Sequence, residues 1–225
     1  DAPVRLLIAE NELKAKELYE DYRLYDAETL YYPAKDLIFY QADIHGNLLI
    51  RQRLQVIQAL LERKEVTIIT SVGGCMDFLL PLGVVEKHCI HLRNDSEFDL
   101  DKIRKELVRL GYESTFQVES TGQFSVRGGI LDIYPLTEQN PIRIELWGDE
   151  IDSIRSFDAE SQRSIENLEE ITIYPASELI LTENTIARGV KAIKKEAKAQ
   201  STKFRDKMMT EEAARIRHAA EEICD

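Results

Sequence analysis

The sequence predicts an α/β chain in which a parallel strand-and-helix layer is followed by a smaller α+β region built on an antiparallel sheet. Two strand-like runs near the start, Val4–Ala9 and Val66–Thr70, enclose segments of helical periodicity. Short alternating runs crowd residues 124–174, with turn residues between them. From Glu183 onward the chain is charged and helix-favouring, with no Pro and only Gly189.

Taken in order, Val4-Arg5-Leu6-Leu7-Ile8-Ala9 reads as a buried strand, and Asn11 can cap a helix running to about Tyr22. Leu48, Leu49, Val56, Ile57, Leu60 and Leu61 recur near helical spacing. Val66–Thr70 is then a β-branched strand. Strand, helix, helix, strand in that order predicts parallel pairing. The character changes near Pro81-Leu82-Gly83. His88–Leu92 reads as a strand, and Asp99–Leu110 as a helix capped by Asp99 and stopped by Gly111. Strands are expected at Phe124–Tyr134, Ile142–Trp147, Ile151–Phe157 and Ile171–Tyr174 as an antiparallel meander, and one or two solvent-facing helices close the chain.

Composition narrows the function. With 225 residues, 44% of them hydrophobic, the chain can bury a sizeable core. Its formal net charge is -12, and nucleic-acid binders usually show a basic patch, so DNA is not expected as its main partner. No apolar run reaches the length of a membrane span and Asp1–Arg5 has no signal-peptide pattern. Cys75, Cys89 and Cys224 are scattered and odd in number, which fits reduced thiols; a cytoplasmic location is expected.

Catalytic chemistry finds little support. A phosphate loop needs a Gly-rich turn ending in Gly-Lys-Ser/Thr; the nearest string, Ser71-Val72-Gly73-Gly74-Cys75, has no Lys and reads as a strand-to-helix turn. Asp149-Glu150 follows a Gly at an expected hairpin turn. His45, His88, His91 and His218 lack a second Cys/His pair at zinc spacing, so neither metal nor cofactor is expected. No nucleophile with an oriented base is recognisable, so the chain is not read as an enzyme.

The informative stretch is Ile142-Arg143-Ile144-Glu145-Leu146-Trp147. Strand alternation puts Ile142, Ile144 and Leu146 towards the core and Arg143, Glu145 and Trp147 on the opposite, solvated face. In Gln123–Gly129, Ser125 and Arg127 share a face, and the pair Gly128-Gly129 marks a bulge or a tight bend. If that strand pairs with Ile142–Trp147, Arg127 and Arg143 come to a common face. Trp and Arg are enriched at interface hot spots, whereas the bland alternative is a Trp packed under a loop beside weak surface ion pairs.

These same residues carry a resemblance. Gly122-Gln123-Phe124-Ser125-Val126-Arg127-Gly128-Gly129-Ile130-Leu131-Asp132-Ile133-Tyr134-Pro135, then Pro141–Arg155, Phe157–Ser164 and Tyr174-Pro175-Ala176, resemble the corresponding strings of bacterial transcription-repair coupling factors (Mfd) and of the related repair protein UvrB. The Ser161-Gln162-Arg163 ending is closer to Mfd. Tyr32–Asp36 and Gly46–Arg53 are similar to that family's first subdomain.

The resemblance implies the N-terminal UvrB-homology module. Residues 1–82 would be a helicase-like α/β subdomain without a phosphate loop, and residues 83–177 an inserted UvrA-binding middle domain. Residues 178–225 would be a helical return to the first subdomain. It also implies UvrA as the protein partner, bound through Arg127, Arg143, Trp147 and Glu145, with Trp147 where the family usually has Phe. The C-terminal region of the longer chain is a second expected partner of the same domain. Contacts with DNA and RNA polymerase, and the ATP-driven translocase, belong to regions outside this chain. The rival expectation is an ATP-binding helicase-like fragment of a UvrB-type protein.

Overall fold

The computed structural model describes residues 3–35, 43–178, 180 and 183–224, and of residues 43–47 and 183 the backbone alone. Asp36 and the side chain of His45 therefore lie outside the described residues. The elements run β1 (Val4–Ala9), α1 (Glu12–Tyr22), β2 (Thr29–Tyr32), α2 (Asp43–Leu61), β3 (Val66–Ser71), α3 (Val72–Met76), α4 (Leu82–Glu86), β4 (Ile90–Arg93) and α5 (Leu100–Arg109). They continue with β5 (Glu113–Ser114), β6 (Gln123–Arg127), β7 (Ile130–Ile133), β8 (Ile142–Trp147), β9 (Glu150–Phe157), β10 (Ser164–Leu168), β11 (Glu170–Ile173), α6 (Glu183–Asp206) and α7 (Thr210–Cys224). The chain divides into two compact units, Asp1–Ile180 and Leu181–Asp225.

In the first unit the parallel layer is a three-stranded sheet in the order β1-β3-β2, both pairings parallel. β3 is central and buried at every position, which is why Val66–Ser71 reads as β-branched without alternation. Asn11 caps α1 as expected, its side chain accepting from the Lys14 N–H at 3.0 Å. Ser71 caps the short helix α3 through the Gly74 N–H. The Val72–Cys75 string is thus helix as well as turn.

The antiparallel region is a six-stranded sheet in the order β10-β9-β8-β7-β6-β5, antiparallel throughout except for β5 against β6. Its inner face is apolar: Phe124, Leu131, Ile133, Ile142, Ile144 and Ile154 are all buried. The same core cluster takes in Leu107 of α5 and Leu110 at its C-cap, and Leu54 and Ile57 of α2, so the packing is continuous from the parallel layer to the sheet.

Three expectations need correcting. Residues 124–134 are not one strand but a hairpin, β6 and β7, turning at Gly128-Gly129 with Gly128 at φ 60°, the left-handed region that a side chain disfavours. Consequently β7, not β6, pairs with β8. β11 leaves the meander and pairs instead with β4 in a two-stranded sheet. His88 precedes that strand, which begins at Ile90. Period-2 reasoning alone could not separate these because the Gly pair, a tight bend, breaks one apolar run into two strands. In the second unit α6 and α7 form a helical pair, with the buried Ser201 hydroxyl donating to the Ala213 carbonyl at 3.0 Å. Among the described residues no helix is long and apolar enough to cross a membrane.

Candidate functional site

Register builds the site. Across β6, β7, β8 and β9 the residues Ser125, Asp132, Arg143 and Arg155 lie side by side, and the neighbouring row on the same face is Arg127, Ile130, Glu145 and Ser153. The only irregularity between β8 and β9 falls beyond Glu145. β8 keeps its alternation, with Ile142 and Ile144 buried and Trp147 84% exposed.

Arg127 and Arg143 meet on one buried carboxylate. Asp132 is 1% exposed. Its Oδ1 accepts from Arg143 Nε at 2.7 Å, and its Oδ2 accepts from Arg143 Nη2 at 2.9 Å and from Arg127 Nη2 at 2.7 Å. The first two bonds form the bidentate fork that a planar guanidinium favours. Arg143 also donates to Gln162 Oε1 at 3.0 Å and lies over the Phe157 ring, 4.4 Å from its centroid. The hydrogen bonds to Asp132 raise the Arg143 pKa, so it is a permanent cation.

Gln162 is set by its own loop. The Asp158 carboxylate accepts from the Ser161 N–H and hydroxyl, which hold its pKa below the usual range. Gln162 itself is at φ 60° with its amide donating to the Ala159 carbonyl. Glu145 is engaged by Arg155 and by the Ser153 hydroxyl.

The four residues expected from sequence therefore share one face of the sheet, but that face is drier than alternation predicts. Ser125 and Asp132 are buried there, and the Arg143 side chain is only 17% exposed. The physical reason is mutual cover: the Asp158–Arg163 loop reaches Arg143, and the Ser125 hydroxyl donates to the Phe116 carbonyl at 2.7 Å. Sequence reasoning singled out the arginines but not Asp132, Arg155, Gln162 or the exposed Phe116 that borders this face. A carboxylate at a strand position flanked by apolar residues, Leu131-Asp132-Ile133, is the signal that could have found the first of these.

The carboxyl ends of β1, β3 and β2 are where an open parallel sheet would present a ligand crevice. There Glu12 reaches in, accepting from the Tyr31 hydroxyl, the Ala34 N–H and the Ser71 hydroxyl. A Cβ added at Gly74 would collide with the buried Thr70 Oγ1 and stand 3.1 Å from the Tyr32 carbonyl oxygen, so a side chain there would force its neighbours to shift. A carboxylate in this position opposes a phosphate by like charge. Beside it, buried Arg53 bridges Glu178, Asp77, the Pro33 carbonyl and the Tyr32 hydroxyl. Among the described residues no group of His, Cys, Asp and Glu could hold a metal ion.

Residues 90–179, which contain the whole six-stranded sheet and this face, match the UvrB interaction domain family. That stretch of the chain is thus similar to a UvrB interaction domain. Over most of its length the chain is similar to transcription-repair-coupling factors, as its motifs indicate. It is 40% identical to that of Staphylococcus aureus (strain USA300) over 184 residues, covering 81% of this chain and 16% of that protein. Against that of Bacillus subtilis (strain 168) it is 36% identical over 222 residues, covering 97% and 19%. Against that of Staphylococcus haemolyticus it is 37% identical over 188 residues, covering 83% and 16%. The chain spans less than a fifth of the length of these curated relatives.

Proposed function

We propose that this chain is a non-catalytic docking module of a transcription-repair coupling factor, and that it recruits UvrA in nucleotide excision repair through the face of Arg127, Arg143, Glu145 and Trp147. In this reading residues 1–82 are a degenerate helicase-like subdomain, 83–177 the docking domain and 178–225 a helical return. The longer protein works in the cytoplasm, and its motor and polymerase contacts lie in other parts of it.

The observation that carries the proposal is an indole 84% exposed on the same face as two guanidiniums fixed by one buried carboxylate. Arginines already oriented lose little side-chain freedom on binding, which is the usual cost of a charged contact. Their outward N–H groups can meet acidic groups of the partner. An exposed Trp brings about 150–250 Å² of area to bury. Glu145, held by Arg155, is placed to meet a basic group of the partner. The second expected occupant of this face is the C-terminal region of the longer chain, which would hide it in the resting state.

The test is titration of UvrA with the wild-type chain and with Arg143→Ala and Trp147→Ala. Each substitution is expected to weaken binding by about 2 kcal/mol or more, roughly 30-fold. Wild-type affinity in both variants, with folding intact, rejects the assignment. Saturable ATP binding by the chain would favour the helicase-like reading instead.

A further inference from the structure

The second compact unit, the helical pair α6 and α7, has a charge opposite to that of the chain it belongs to. Residues 181–225 carry ten Lys and Arg against eight Asp and Glu, in a chain whose formal net charge is -12. Such asymmetry is the compositional mark of a segment that meets a polyanion.

The charge is also placed. Lys194, Lys198, Arg205 and Arg217 line one groove of about 330 Å³ with Ala197, Ser201, Ala220 and Glu221. Lys194, Lys198 and Arg205 follow the i, i+4, i+11 spacing that keeps one stripe of a helix, spanning about 16 Å at 1.5 Å per residue. Arg217 enters from α7, whose Ala213 is tied to Ser201 of α6. All four cations are exposed, and among the described residues none of them forms an ion pair; Glu221 is the single carboxylate in the groove.

We propose that this groove is a sequence-independent binding site for the phosphate backbone of duplex DNA, separate from the docking face and independent of the reading given for it. Three cations along a stripe of about 16 Å, with Arg217 beside them from α7, suit a regular row of phosphates, which follow one another at about 3.4 Å of axis per strand. The small side chains on the floor let the backbone approach. They offer no bulky apolar residue to insert among acyl chains, which a membrane-surface helix requires. The acidic remainder of the chain keeps the affinity modest, so contact is effective when another interaction has already brought DNA close.

The experiment is fluorescence anisotropy of a labelled duplex titrated with the 225-residue chain at 50 to 200 mM salt. Four phosphate contacts give a log–log slope near about −3.6, so affinity falls about 150-fold across that range. The variant Lys194→Gln, Lys198→Gln, Arg205→Gln, Arg217→Gln is expected to lose most of the binding. A control removing four cations elsewhere, Lys16→Gln, Arg63→Gln, Lys102→Gln, Arg104→Gln, keeps it to within about threefold, and circular dichroism verifies helix content in both. No binding at 50 mM salt overturns the proposal. So does equal loss in the two variants, which would mean that bulk charge alone acts. Binding to phosphatidylserine vesicles without binding to duplex would overturn it in favour of a membrane surface.

Discussion

Replacing Asp132 with Asn keeps the shape of the side chain and removes the charge on which both docking-face arginines converge. Asp132 accepts three hydrogen bonds from guanidinium donors, at 2.7, 2.9 and 2.7 Å. An Asn presents one oxygen and one NH₂, so one guanidinium donor must face another donor, and the remaining bonds lose their charge assistance. Hydrogen bonds to charged groups contribute about 1.5–3 kcal/mol each. Breaking a fully buried ion pair costs about 3–5 kcal/mol. The Arg127 side chain is 40% exposed and can regain water, which brings the expectation down to about 2–3 kcal/mol. For a chain of this size that lowers the thermal midpoint by about 5–10 °C. Freed guanidiniums must also be ordered on binding, so affinity for UvrA should fall about tenfold or more even where the variant is fully folded. Denaturant unfolding and a binding titration at low temperature measure the two effects. An Asp132→Asn chain as stable as wild type, with unchanged affinity, would refute the view that this carboxylate sets the arginines.

Arg53→Ala should destabilise the parallel layer by about 3–5 kcal/mol in denaturant unfolding, because Glu178 and Asp77 lose their buried counter-charge; Arg53→Met, which restores packing, should recover part of the loss. Burial, with Glu86 nearby, pushes the Cys89 thiol up to about 11; against an ordinary thiol near 9 its thiolate at pH 8 is roughly 100-fold scarcer. Mass-resolved alkylation should therefore modify the exposed Cys75 well before Cys89. At Glu62 burial acts to raise the carboxyl pKa, but hydrogen bonds from Lys64, Gln58 and Tyr174 outweigh it and hold it below the usual value. A folded pKa below the unfolded one gives stability that is present above the unfolded value and lost as pH falls through the folded one. Glu62→Gln should accordingly flatten the acid side of the stability–pH curve, measured by denaturant midpoints between pH 3 and 6.

How much of this was legible in the sequence follows from which interactions are local. Asn11 and Asp99 are capping residues whose partners lie three positions on, and both act as expected. The all-buried β3 and the alternating β8 also announced themselves, because burial of one or both faces is written in strand composition. The exposed indole of Trp147 followed from the same alternation. Register did not. Gly128-Gly129 could mark a bulge or a turn, and only the turn inserts β7 between the two arginines with Asp132 opposite Arg143. Gln162 reaches Arg143 from 19 residues away through a loop with a left-handed backbone at that residue, a placement no local pattern encodes. The parallel layer hid its third strand, because Thr29–Tyr32 is only four residues long and its pairing with β3 crosses a helix.

Trp147 is the only tryptophan in the chain and stands on the face assigned to docking, so it reports on that face alone. Incorporating 5-fluorotryptophan and following its single ¹⁹F resonance while UvrA is added gives a direct reading. Engagement of the face predicts a shifted, broadened signal that saturates with UvrA and loses its accessibility to solvent relaxation agents. An unmoved, solvent-accessible resonance in a chain shown by sedimentation to be fully bound would contradict the account, since UvrA would then sit elsewhere.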